Sequence, residues 1–193
     1  MKKGRIYSKS ESYMLRAMRE AKKAEKNGDV PIGCIIVFDG TDPNTKAYKN
    51  AEAHGILPGT VIGTGYNRRN RDHCSLKHAE IDAIRKACKA VDDWRLEDCT
   101  MYVTLEPCPM CAGAVIQARV PRVVMAARNA KAGCCGSVTD LLHLQGLNHQ
   151  CEVTEGILGE ECSQMLKAFF EGMRKRVKAE KQSRDTAGGT SGI

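Results

Sequence analysis

The stretch TMYVTLEPCPMCAGAVIQARVPRVVMAA, residues 100–127, decides the fold. Residues 100–105 are rich in β-branched and aromatic side chains and read as a strand. Residues 107–118, opened by Pro107 and rich in alanine, read as a helix, and residues 122–127 as a second strand. Working outward, Ile-Gly-Cys-Ile-Ile-Val-Phe at 32–38 is a nearly continuous apolar run that suits a strand covered on both faces. Residues 60–66 and 151–154 supply two more strands. Helical spacing appears at 10–27, where Met14, Leu15, Met18, Ala21 and Ala24 form a stripe that Gly28 stops, and at 78–91, through Ile81, Ile84, Cys88 and Val91. A long helix begins at 159, with Cys162, Met165, Leu166, Phe169, Phe170, Met173 and Val177 on its apolar face. Strands alternating with helices of this length predict an α/β fold with a largely parallel sheet and helices on both faces.

A chain of 193 residues predicts one domain, placed at 1–181, with the polar, Gly-rich residues 182–193 as a flexible tail. The polar segment 39–59 is long for a hairpin connection and reads as an insertion whose internal order the sequence does not fix. Absence of an apolar run long enough to span a bilayer excludes a membrane-spanning helix. Met1-Lys2-Lys3-Gly4-Arg5 leads into polar residues, unlike a secretory leader, so the expected location is cytoplasmic. In that reducing compartment the ten cysteines are expected to be two metal ligands and eight inert, mostly buried thiols. Charge is uneven: of a net +7, the first 28 residues carry 9 basic and 3 acidic side chains, and residues 172–193 carry 6 and 2. The middle of the chain is slightly acidic. Two basic ends on an acidic body suit a polyanionic partner, and they equally suit solvated terminal helices.

Cys108 and Cys111 stand three apart in the first turn of a helix, which turns both sulfurs to one side. The helix N-terminus favours thiolates, the form a zinc ion needs. Alone, a Cys-x-x-Cys is equally a redox motif. His78 adds an imidazole at the start of the preceding helix, and three protein ligands leave the fourth tetrahedral position open, as catalytic zinc requires. His73 and Cys74 are the nearby candidates for a closed, structural site. Glu80 is adjacent to the ligand but offset from its direction, so it can move protons for a water activated at the metal. His-x-Glu followed some thirty residues later by Pro-Cys-x-x-Cys is the known signature of zinc nucleobase deaminases, so this step is recognition.

From Asp29 to about Lys181 the sequence resembles the bacterial tRNA-specific adenosine deaminases, within the cytidine-deaminase-like superfamily. The resemblance rests on Asp29-Val30-Pro31-Ile32-Gly33, Gly65-Tyr66-Asn67, His78-Ala79-Glu80-Ile81, the run from Tyr102 to Ala114, Arg122-Val123-Val124, Ala130-Lys131-Ala132-Gly133 and Gly146-Leu147-Asn148-His149. It implies a three-layer α/β/α sandwich around a mixed five-stranded sheet, one zinc ion per chain, and hydrolytic deamination of adenosine to inosine. The implied target is the wobble position of a tRNA anticodon stem-loop, that of an arginine tRNA, with a homodimer shaping the RNA groove. It further implies substrate-binding positions at Val30, Asn67, Ala79, Asn129 and Lys131, Asn67 bonding the flipped base, and nucleic-acid contacts at Arg174, Lys175 and Arg176. Two features depart from the family: Asn129 stands where Asp is usual, and the 39–59 segment replaces a shorter hairpin.

Several residues carry plainer readings. Asn67 also suits a strand-end turn. Arg68, Arg69 and Arg71 are either surface charge or phosphate contacts. His143 and His149 read as hydrogen-bonding groups, the Phe169–Phe170 pair as core or dimer packing, and Glu106 as structural. A deaminase of free nucleobases or nucleosides is the alternative enzyme, needing no basic ends. A zinc-stabilised RNA-binding scaffold would have no use for Glu80.

Overall fold

The computed structural model describes residues 6–188. Ten elements follow in chain order: α1 (Lys9–Lys26), β1 (Gly33–Phe38), α2 (Lys46–Ala53), β2 (Val61–Tyr66), α3 (Ala79–Ala90), β3 (Cys99–Leu105), α4 (Pro109–Gln117), β4 (Arg122–Ala127), β5 (Glu152–Glu155) and α5 (Gly159–Gly188). Local chemistry sets their ends. Ser8 caps α1 in a reciprocal box with Glu11, and the helix stops at Asn27, before Gly28 at φ +77°. Pro109 sits in the first turn of α4, where a missing N–H costs nothing.

The five strands lie in the order β2-β1-β3-β4-β5. β1 runs antiparallel to both β2 and β3, whereas β3–β4 and β4–β5 are parallel. The sheet is therefore mixed, as the family resemblance implied, and not largely parallel as the alternation of elements suggested. The reason lies in residues 39–59. They contain only the eight-residue α2, too short to carry the chain across the sheet, so β2 returns beside β1. α2 supplies the order that the sequence left open in this insertion: Thr45 caps it through the Tyr48 N–H, and Ala47 and Ala51 are fully buried.

Alternate residues of the strands serve opposite faces. Cys34, Ile36, Phe38, Met101, Val103, Val123 and Met125 pack with α3 and α4. Ile35, Val37, Tyr102, Val124 and Ala126 pack with Met14 and Ala17 of α1 and Cys162 of α5. Three layers result. α3 lies so close on β2 that a Cβ at Gly65 would stand 1.9 Å from the Ala79 carbonyl oxygen. Residues 182–188, assigned by sequence to a tail, continue α5; residues 189–193 lie outside the described residues. No helix among the described residues is long and apolar enough to cross a membrane. All ten cysteines are free. Of the eight outside the motif, Cys74 and Cys88 are half-buried and the rest buried; burial pushes Cys151 up to about 11 and Cys162 to about 12.

Candidate active site

The mixed topology gathers the site at one edge of the sheet. Gly33 at the start of β1 pairs with Tyr66 at the end of β2, and Leu105 at the end of β3 pairs with Ala127 at the end of β4. Val30 just before β1, Asn67 just after β2, Cys108 after β3 and Asn129 after β4 therefore meet at the same edge. Strand ends of parallel pairs are where open α/β sheets bind ligands.

His78 is the N-cap residue of α3 and Cys108 that of α4, while Cys111 lies in the first turn of α4. Their ligand atoms lie within 4.8 Å of one another. Nδ1 of His78 is 3.6 Å from the sulfur of Cys108 and 3.6 Å from that of Cys111. A tetrahedral zinc ion with Zn–S of about 2.3 Å and Zn–N of about 2.0–2.1 Å separates nitrogen from sulfur by about 3.6 Å, so the donor set fits that ion. The Cys111 thiol donates to Cys108, and this bond together with His78 holds Cys108 down to about 4 despite its burial. Cys111, as donor and as a buried thiol, is pushed up. A cation bound between the two sulfurs would favour both as thiolates. Hydrogen bonding to Cys108 raises the His78 imidazole. Neither His73 nor Cys74 joins the cluster.

Glu80 is 4% exposed. Burial pushes its carboxyl above the usual range and Cys108 adds to the effect, against a smaller opposing pull from its own backbone N–H, His78 and Cys111. A carboxyl held beside the ligand set without belonging to it is placed to accept and return a proton.

The substrate-binding candidates divide. Val30, Asn129 and Lys131 line a cavity of about 570 Å³ with Leu105, Arg128, Lys167, Phe170 and Arg174. Asn67 is buried and donates from Nδ2 to the Val30 carbonyl at 3.4 Å, and its backbone N–H bonds Ile32. Asn129 Oδ1 accepts the N–H groups of Lys131 and Ala132, both at 3.3 Å, which leaves its amide N–H₂ as the group to offer a ligand. Ala79 is fully buried at the start of α3. Arg174 reaches the cavity; Lys175 and Arg176 are exposed and do not line it. Arg68 is held by Asp82 and Asp72, leaving Arg69 and Arg71 as the exposed cations of that loop. His143 pairs with Asp140 at 2.7 Å, and His149 donates to the Val120 carbonyl at 2.8 Å.

Two features escaped the sequence reading. Phe170, grouped with Phe169 as packing, faces the cavity while Phe169 is buried; Leu166, Phe170 and Arg174 recur every four residues, which was the available signal. Asp29 is fully buried and accepts the N–H groups of Asn70 at 2.8 Å and Arg71 at 3.1 Å, fixing the loop after Asn67. A second cavity, of about 480 Å³ between α1 and α5, holds none of the candidate residues.

Comparison with known proteins agrees with this geometry. A family model for MafB19-like deaminases matches residues 8–174. The chain is 44% identical over 176 residues to the tRNA-specific adenosine deaminase of Bacillus subtilis, covering 91% of this chain and 98% of that protein. To the tRNA-specific adenosine deaminase of Haemophilus influenzae it is 37% identical over 182 residues, covering 94% and 95%. A solved structure from work on A-to-I editing by tRNA:A34 deaminases at the wobble position superposes with a TM-score of 0.67 at 31% identity, covering 80% of this chain and 99% of that one.

Proposed function

Because the chain belongs to the family of tRNA-specific adenosine deaminases, we propose that it converts adenosine at the wobble position of a tRNA anticodon to inosine, consuming water and releasing ammonia. The observation that carries the reading is the convergence of one imidazole and two thiols beside a buried carboxyl, at the end of the sheet where Val30, Asn129 and Lys131 line a cavity with Arg128, Lys167, Arg174 and Glu171. His78, Cys108 and Cys111 would hold a zinc ion, which would supply the Lewis acidity that makes water a nucleophile near neutral pH. Glu80 takes one proton from the water as its oxygen adds to the purine carbon and passes it to the ring nitrogen, then takes the second from the new hydroxyl and passes it to the amino group, which leaves as ammonia while the carbonyl forms. Asn67, pinned against Val30, presents its amide to the edge of the flipped base. Lys131, Arg128 and Arg174 hold the flanking phosphates.

The same reading takes residues 1–181 as one deaminase domain, acting in the cytoplasm on an arginine tRNA as a homodimer. Inosine mapping on total tRNA incubated with the purified, zinc-loaded protein tests it: the expected product is inosine at a single anticodon adenosine. Unmodified tRNA alongside rapid turnover of free nucleobases or nucleosides would replace it with the small-molecule reading.

A further inference from the structure

Glu106, 2% exposed just beyond β3, is a buried carboxylate that the mechanism above leaves unused. Its two oxygens gather four donors, all from residues 129–137. Oε1 accepts the N–H groups of Cys135 at 2.9 Å and Ser137 at 3.0 Å. Oε2 accepts the Asn129 N–H at 2.8 Å and the Ser137 hydroxyl. The donors are backbone and hydroxyl groups, not cations, so the carboxylate acts as a fixed acceptor around which the loop is wound. Gly133 passes directly over it, since a Cβ there would lie 2.2 Å from Oε2. The Cys134 N–H adds a bond to the Pro107 carbonyl at 2.8 Å, one residue before the ligand Cys108.

What this winding controls lies at the start of the loop. Asn129 is pinned through its own N–H, and Asn129 and Lys131 then line the cavity with Val30, Phe170 and Arg174. We propose that Glu106 is a positioning residue for substrate recognition: by fixing residues 129–137 against the turn that carries Cys108, it sets where Asn129 and Lys131 meet the RNA beside the reacting base. The role deepens the tRNA deaminase reading and rests on it. Only an acceptor at both oxygens serves. Glutamine would turn an N–H₂ toward two donors, and aspartate would draw the oxygens back by one methylene.

A residue that merely stabilised the fold would affect every substrate contact alike; one acting through the loop must lose its effect when the loop's side chains are gone. The test compares Glu106→Gln, the Asn129→Ala/Lys131→Ala double variant and the triple variant on an anticodon stem-loop, with zinc content and melting temperature measured for each. Glu106→Gln is expected to keep its zinc and raise KM about tenfold, with kcat within about threefold of wild type. In the double-variant background the same substitution is expected to change KM by less than about twofold. An unmoved KM, or the same factor in both backgrounds, overturns the role. Ser137→Ala, which removes one donor and leaves the carboxylate, keeps the test open should Glu106→Gln fail to fold: KM is expected to rise about threefold with zinc and melting temperature unchanged, and an unchanged KM overturns the proposal. Wild-type protein that does not deaminate the stem-loop overturns the functional reading itself; an active wild type with an unmoved Glu106→Gln overturns only the part given to Glu106.

Discussion

At the residue scale, the proposed reaction has His78, Cys108 and Cys111 holding the zinc ion and Glu80 moving protons, and substitution separates the two roles. Removing Cys108 leaves one thiol and one imidazole, too few to retain a zinc ion against dilution. Cys108→Ala is therefore expected to lose its zinc on metal analysis and to melt at a lower temperature; undiminished zinc content would show that other side chains hold the metal. Glu80→Ala leaves all three ligand atoms in place. Its zinc content and fold are expected to match wild type while turnover falls by about 10²–10⁴-fold, toward the upper end because one carboxyl serves both proton transfers. Residual turnover above about a tenth of wild type, beyond what a lost general base allows, would assign the proton to another group.

At the scale of elements, α2 and α5 are the parts whose roles their sequences express least. α2 is tied to the rest of the protein by polar contacts. The Asn50 side chain donates to the Val91 carbonyl at 2.9 Å, and Lys46 pairs with the buried Asp93 at 2.9 Å. Burial raises the Asp93 carboxyl, but the Lys46 ammonium, the Arg95 N–H and the two positive charges outweigh it and hold Asp93 below the usual carboxylate range. A depressed carboxyl adds stability above its unfolded value of about 3.9 and loses it as pH falls through the lower folded value. Lys46→Ala is thus expected to lower the urea midpoint at pH 7, by on the order of 1 kcal/mol of stability since Lys46 is half exposed, and the gap from wild type should close below about pH 4. A gap that widened in acid would refute the pairing.

α5 packs its first turns on β4 and then runs on with exposed residues, among them Arg174, Lys175, Arg176, Lys178 and Lys181. Ending the chain at Gly172 removes those cations, including the one that reaches the cavity, and leaves Phe169 and the core behind it. Binding of an anticodon stem-loop is expected to weaken sharply while zinc content stays the same. Each phosphate that α5 no longer neutralises lowers the slope of log affinity against log salt by about 0.7–0.9, so the truncated chain should bind with a shallower salt dependence. Equal affinity and equal slope would take α5 out of RNA binding.

At the scale of the whole molecule, the sequence by itself determined the parts list. Nine of the ten elements follow from apolar period and from punctuation by Gly28, Pro31 and Pro107, since those signals act over a few residues. The exception was α2, whose two buried alanines amid polar neighbours give no stripe to read. The cluster of His78, Cys108 and Cys111 was legible because a site able to hold a metal needs particular residue types at helix starts, which local spacing shows, and Glu80 followed from its place two residues after His78. Tertiary structure alone decided how the parts meet. Strand direction is set by which chain segments pack on which face of the sheet, information spread over the whole molecule. In an all-parallel sheet Val30, before β1, would lie at the opposite edge from residues that follow β3 and β4; the antiparallel run of β1 brings it to Asn129 and Lys131. Glu106 is the same lesson at one side chain: its four partners lie 23 to 31 residues away, and no local pattern announces an acceptor whose donors arrive only when the loop closes over it.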